Sequence, residues 1–179
     1  MKTILKFAFI LFVVNLAAAS ILAATYNVTK PKIEEQIRLA QAQALKQVMP
    51  GEISDRLEPV EKDGAVQYWK AFKGNNSQLK GYIFIAKKYG YSSVIETMVG
   101  MKKDGTITGL RVILQNETPG LGDKIAEPSF IRQFINRNVS ELELSKNNVD
   151  AVAGATISSR AFLDSIKSSG IEMLKNKDE

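Results

Sequence analysis

Two segments of this chain carry residue types at spacings that suit chemistry better than packing. The first, Glu117-Thr118-Pro119-Gly120-Leu121-Gly122-Asp123-Lys124, ends a β-rich run in a loop with two glycines, a proline and charges of both signs. Alone it also fits a plain turn. It lacks the Gly-Lys-Ser/Thr ending of a phosphate-binding P-loop, so it gives no support to nucleotide hydrolysis. The second, Asp150-Ala151-Val152-Ala153-Gly154-Ala155-Thr156-Ile157-Ser158-Ser159, directly precedes an amphipathic pattern. Thr156 or Ser158 could cap that helix, a use of a hydroxyl worth about 1 kcal/mol. The same place suits a phosphate: first-turn N–H groups and the helix dipole attract an anion, and Gly154 and Ala155 let backbone approach closely. Periodicity does not choose between the two.

The residue inventory narrows the chemistry. The 179 residues include no cysteine and no histidine, which excludes Cys/His zinc sites, thiolate iron–sulfur ligation, thioether haem attachment, Ser-His-Asp triads and disulfides. The inventory thus offers no metal site with Cys or His ligands and no histidine-based catalytic set. A covalently held cofactor would have to use a hydroxyl, an amine or a carboxylate. Of 24 Lys and Arg, Lys2 and Lys6 lie at the start; the remaining 22, against 19 Asp and Glu, are scattered. A nucleic-acid protein needs a concentrated basic stripe, and none is visible.

These segments need a scaffold and a compartment. Phe7 to Ala24 is an uncharged run of 18 residues whose polar members are Asn15 and Ser20. As a helix it spans roughly 27 Å, near the ~30 Å hydrocarbon thickness. A retained membrane anchor is expected; the rival reading is a cleaved signal peptide ending near Ala17-Ala18-Ala19, although the run exceeds the usual apolar core of one. Either way the initial lysines stay in the cytoplasm and the rest is exported. Asn15 hints at a partner helix. The expected division is an anchor over 1–25, a connecting helix and linker over 26–60, and the functional domain over 61–179.

Within the exported part, Ile33, Ile37, Ala40, Ala44 and Val48 predict a helix over about 31–48. Strands are expected at 66–73, 82–87, 94–102 and 106–114, with Asp104-Gly105 turning a hairpin. Helical patterns follow, one opened by Pro128 and one over about 158–175. The order implies an α+β domain, an antiparallel sheet packed by helices behind a single N-terminal transmembrane helix. Tyr68 and Trp69 read as sheet packing.

Both motifs together, in this order behind an anchor, resemble the FMN-binding domain family shared by the G subunit of Rnf complexes and the C subunit of the sodium-pumping NADH:quinone reductase. The resemblance covers essentially the whole chain. It implies that a flavin transferase esterifies the Thr156 hydroxyl with the FMN phosphate, and that Asp150, Gly154 and Ala155 match the motif the transferase reads. It also implies that Gly154, Ala155, Ile157, Ser158, Glu117, Thr118, Leu121, Gly122 and Lys124 contact the cofactor, with Lys124 helping to offset the phosphate charge. Ala153 stands where many relatives have Ser or Thr, and Gln115-Asn116 where Rnf relatives often have a histidine.

The implied function is that of a redox subunit, not an independent catalyst, in an Rnf-type complex that couples ferredoxin and NAD electron transfer to Na⁺ or H⁺ translocation. Its partners would be the other membrane subunits and, during maturation, the flavin transferase. Its flavin would lie on the periplasmic or extracellular side of the cell membrane with an edge open to a partner. Two alternatives remain from the sequence: a separate exported FMN carrier or quinone reductase subunit, and a non-redox anchored binding or assembly protein.

Overall fold

The structure, a computed structural model, describes residues 2–62, 64–74 and 78–175. The chain divides into two units, Met1–Leu39 and Ala40–Glu179.

The first unit is helical and belongs to α1 (Lys2–Val48). Among the described residues α1 is the one helix long and apolar enough to cross a membrane by length and composition, with a mean hydropathy of 2.4 over its most apolar window. Its polar side chains turn inward on their own backbone. Asn15, Ser20, Thr25 and Thr29 each donate to the carbonyl four residues earlier, at 2.7–2.9 Å. Such bonds remove the cost of an unpaired donor in hydrocarbon. Asn15 spends one of its two amide N–H groups in this way and keeps the other and its carbonyl oxygen.

The second unit is built on a meander of five antiparallel strands in the order β1-β2-β3-β4-β5. They are β1 (Arg56–Lys62), β2 (Ala65–Lys73), β3 (Gln78–Tyr89), β4 (Val94–Lys102) and β5 (Ile107–Leu114). Asp104 and Gly105 turn the last hairpin: Gly105 adopts φ +90°, and the Asp104 carboxylate accepts the Thr106 N–H at 2.8 Å. After β5 come a 3₁₀ turn over Gly122–Ala126, the single-turn α2 (Pro128–Ile131), a 3₁₀ turn over Arg132–Phe134, and α3 (Thr156–Lys175).

The central strands bury both faces, following the period of two. Tyr82, Phe84, Ala86, Ile95, Val99 and Met101 point to α2 and α3, where they meet Phe130, Phe134, Phe162 and Ile166. The three phenylalanine rings pack edge to face at centroid distances of 5.2–5.5 Å. On the other face Ala71, Ile83 and Met98 cluster with Ala44 and Val48 from the end of α1 and with Met49 just after it, and Trp69 packs against them. Thr108 Oγ1 donates to the Val48 carbonyl at 2.6 Å. Gly100 permits that approach, since a Cβ there would lie 2.0 Å from the same oxygen.

The α+β class, the antiparallel sheet and the four expected strands are present, β4 with the expected bounds. One strand is additional. β1 falls where a linker was expected, because Pro59 and the acidic residues of RLEPVEK mask any alternation. An edge strand tolerates both. α3 begins at Thr156, two residues earlier than its apolar pattern predicts.

Candidate functional site

A hollow of about 660 Å³ opens where the loop after β5 meets the start of α3. It is lined by Tyr91, Thr118, Leu121, Gly122, Gly154, Ala155, Thr156, Ile157 and Ser158. Its size lies within the range usual for small-molecule sites, roughly 300–1,000 Å³. Tyr91, Leu121 and Ile157 are 65%, 45% and 59% exposed, so the mouth is apolar and open.

The wall formed by the ETPGLG loop is held from behind. Glu117 is buried, and its carboxylate accepts the Tyr91, Ser92 and Ser93 amides at 3.0, 3.1 and 2.9 Å and the Ser158 hydroxyl at 2.6 Å. Burial pushes this carboxyl up, but the Ser158 hydroxyl and then the Ser93, Ser92 and Tyr91 amides outweigh it, and the group sits below the usual glutamate value. Gln115 and Asn116 take part in the same fabric: Gln115 Oε1 accepts the Glu117 N–H at 2.7 Å, and the Asn116 N–H donates to Ser93 Oγ at 2.8 Å.

The opposite wall is the run leading into α3. Gln133 pairs with the Asp150 backbone, accepting its N–H at 2.8 Å and donating to its carbonyl at 3.3 Å. The Ser159 hydroxyl accepts the Val152 N–H at 3.0 Å and donates to the Ala155 carbonyl at 2.9 Å. Between these anchors Gly154 adopts φ +78°, a conformation costly for other residues, and a Cβ there would come within 3.2 Å of Leu121 Cδ2.

The hydroxyls of the motif have separate tasks. Ser158 serves Glu117 and Ser159 serves the loop backbone, so neither caps α3. The Thr156 hydroxyl has no hydrogen-bond partner among the described residues, and the residue is exposed at the first position of α3. A capping role for Thr156 thus has no hydrogen bond behind it. The residue is exposed at the start of α3, whose first-turn N–H groups favour an anion.

Eight of the residues expected at a cofactor line this hollow: Thr156, Gly154, Ala155, Ile157, Ser158, Thr118, Leu121 and Gly122. Three do not. Glu117 lies behind the wall with its carboxylate taken up by protein donors. Lys124 and Asp150 line a neighbouring hollow of about 230 Å³ with Gln133. The cations nearer Thr156 are Lys88 and Arg160, which share a third hollow with it and with Ile157. Lys88 is paired with Asp164 at 2.8 Å.

Sequence reasoning missed Tyr91. Its only signal is Gly90, which ends β3 and lets an aromatic residue project beside a Ser-Ser pair. Among the described residues no group of three or more acidic side chains is placed to hold a metal.

The chain is similar to known proteins along nearly its whole length. Residues 90–169 match the FMN-binding domain model, and residues 1–48 match the RnfG N-terminal region. It is 35% identical to the G subunit of the ion-translocating oxidoreductase complex of Methanosarcina acetivorans, covering 93% of each chain. It is 30% identical to the G subunit of the Na(+)-translocating ferredoxin:NAD(+) oxidoreductase complex of Acetobacterium woodii, covering 98% of this chain and 93% of that one. In fold it resembles the C subunit of the Na(+)-translocating NADH-quinone reductase from Parabacteroides distasonis, with a TM-score of 0.59 at 20% identity over 83% of this chain and 96% of that one. A hollow walled by both motifs, on a fold shared with the quinone reductase protein and within a sequence alike over nearly all of its extent, identifies the chain as a member of the G-subunit family of Rnf-type ion-translocating oxidoreductase complexes, carrying that family's FMN-binding domain.

Proposed function

We propose that this protein is the membrane-anchored electron-transfer subunit of an Rnf-type complex, holding FMN through a phosphoester to the Thr156 hydroxyl. The single observation that carries the attachment is the placement of that hydroxyl: exposed, without a protein partner among the described residues, and on the edge of the 660 Å³ hollow. The residues fit the group. Gly154 and Ala155 leave space beside the first turn of α3 for a phosphate, its N–H groups favour the anion, and Tyr91, Leu121 and Ile157 supply apolar surface for a flat ring.

When bound, FMN supplies one- and two-electron redox chemistry. The chain's own contribution is to tether and to orient. Thr156 prevents loss of the group to the exported compartment, the motif segment sets the tether point, and the open mouth admits a partner's cofactor. No acid–base residue is required.

The complex is proposed to couple electron transfer between ferredoxin and NAD to Na⁺ or H⁺ translocation, a reading supported by the names of the full-length relatives. The flavin domain is assigned to the periplasmic or extracellular side, in line with Lys2 and Lys6 before the apolar run. A flavin transferase is the proposed maturation partner, and Asp150, exposed on the surface, is part of what it reads.

Intact-mass measurement after coexpression with a flavin transferase tests the attachment. The expected result is a gain of one FMN, mapped by peptide analysis to Thr156 and abolished in Thr156→Val. A gain that persists in that variant overturns the assignment.

A further inference from the structure

The Glu117 carboxylate gathers five donors from two distant stretches of chain: the amides of Tyr91, Ser92 and Ser93, the Ser93 hydroxyl and the Ser158 hydroxyl. The first four lie 24 to 26 residues before it and the last 41 residues after it. No local turn preference brings them together. The carboxylate has room because two glycines face Glu117. A Cβ on Gly90 would come within 2.7 Å of its Oε1, and one on Gly122 within 2.8 Å of its Cβ.

The chemistry of the cluster is specific to an anion. An ionised carboxylate offers only acceptors, about four lone-pair sites on two oxygens, whereas an amide of the same shape would aim its own N–H groups at N–H donors. Each segment the carboxylate holds also reaches the hollow. The amide run carries Tyr91, Glu117 itself begins the loop that carries Thr118, Leu121 and Gly122, and Ser158 is in the first turn of α3 with Thr156.

We propose that Glu117 is the positioning residue of the flavin site: by clamping the Tyr91–Ser93 turn to the first turn of α3, it fixes the spacing between the Tyr91 wall and the tether at Thr156. Glu117 touches no cofactor. It acts through the two walls, so that a ring attached at Thr156 is confined against Tyr91 instead of swinging free. The positioning role rests on the FMN reading above; the clamp itself does not.

The test uses the full-length protein in detergent, made with and without flavin transferase. Without flavin, Glu117→Gln is expected to speed hydrogen exchange at the amides of residues 91–93 about tenfold or more, in keeping with loss of charge-assisted bonds, while β3 and β4 stay protected. With flavin attached, the same variant is expected to lower flavin fluorescence anisotropy and shift its midpoint potential. Ser158→Ala, which keeps the carboxylate and four donors, is expected to give a smaller change in the same direction, and decides the matter if the glutamine variant does not fold. Unchanged exchange at residues 91–93 overturns the clamp. Faster exchange with unaltered anisotropy and potential overturns the positioning role. A wild-type protein that gains no FMN mass removes the flavin assignment and the positioning role with it, whereas exchange in the flavin-free protein still judges the clamp by itself.

Discussion

Gln133 holds Asp150 by two hydrogen bonds to its backbone, 2.8 Å at the N–H and 3.3 Å at the carbonyl, and leaves the Asp150 carboxylate exposed. One side-chain amide thus fixes where the segment leading to Thr156 leaves the body of the domain, and the charge stays available at the surface. Gln133→Ala is expected to slow FMN attachment several-fold without unfolding the domain. Asp150→Asn keeps both backbone bonds but removes the charge proposed to be read by the transferase, and is expected to slow attachment as well. Time courses of flavin fluorescence in denaturing gels measure both, and equal rates in Gln133→Ala and wild type would refute the first expectation.

The tether proposed at residue 156 requires a hydroxyl and not threonine as such. Thr156→Ser is expected to retain FMN at a reduced yield, since serine keeps the oxygen but loses the stiffness of a β-branched side chain. Thr156→Ala and Thr156→Val are expected to carry none. Because the residue is exposed, each should alter the unfolding midpoint little, the usual surface effect being within about 0.5 kcal/mol. A large loss of stability would mean that Thr156 is a structural residue.

Glu117 gives stability a defined dependence on pH. Its pKa in the folded protein lies below the ordinary value of 4.5, because the Ser158 hydroxyl and the amides of residues 91–93 overcome the effect of burial. A depressed carboxyl contributes stability that is fully present above its unfolded-state pKa and is lost as pH falls through the folded value. Unfolding followed from pH 7 down to pH 3 should therefore show an acid-dependent loss that is smaller in Glu117→Gln. Parallel curves for the two proteins would contradict this.

The core under α3 rests on three rings. Phe162 is fully buried between Phe130 and Phe134, with centroids 5.5 and 5.2 Å away. Phe162→Ala should cost about 3–5 kcal/mol, the range for deleting a buried phenylalanine. Urea unfolding followed by Trp69, the sole tryptophan, measures it. Since α3 carries Thr156 at its start, the same variant should attach FMN poorly even where it remains folded.

Much of this fold is legible in the sequence, for local reasons. β4 shows its bounds because Ile95, Thr97, Val99 and Met101 recur at every second position and Asp104-Gly105 closes the turn after it. The segments flanking Thr156 are legible because a continuous motif lies against a helix start. What escapes is what depends on distant chain. β1 is stabilised by pairing with β2, not by its own pattern, and Pro59 argues against it locally. Tyr91 and Glu117 lie 26 residues apart. Their hydrogen bond ties the start of the loop to an unmarked tyrosine at the mouth of the hollow.

The end of α1 and the residue after it also decide how this protein can be shortened. Ala44, Val48 and Met49 act as a stopper on the strand surface made by Ala71, Ile83 and Met98. A soluble version begun at Ala40 sheds the greasy leader and keeps its stopper. One begun at Gly51 uncorks the sheet, and is expected to aggregate however well its flavin end is formed.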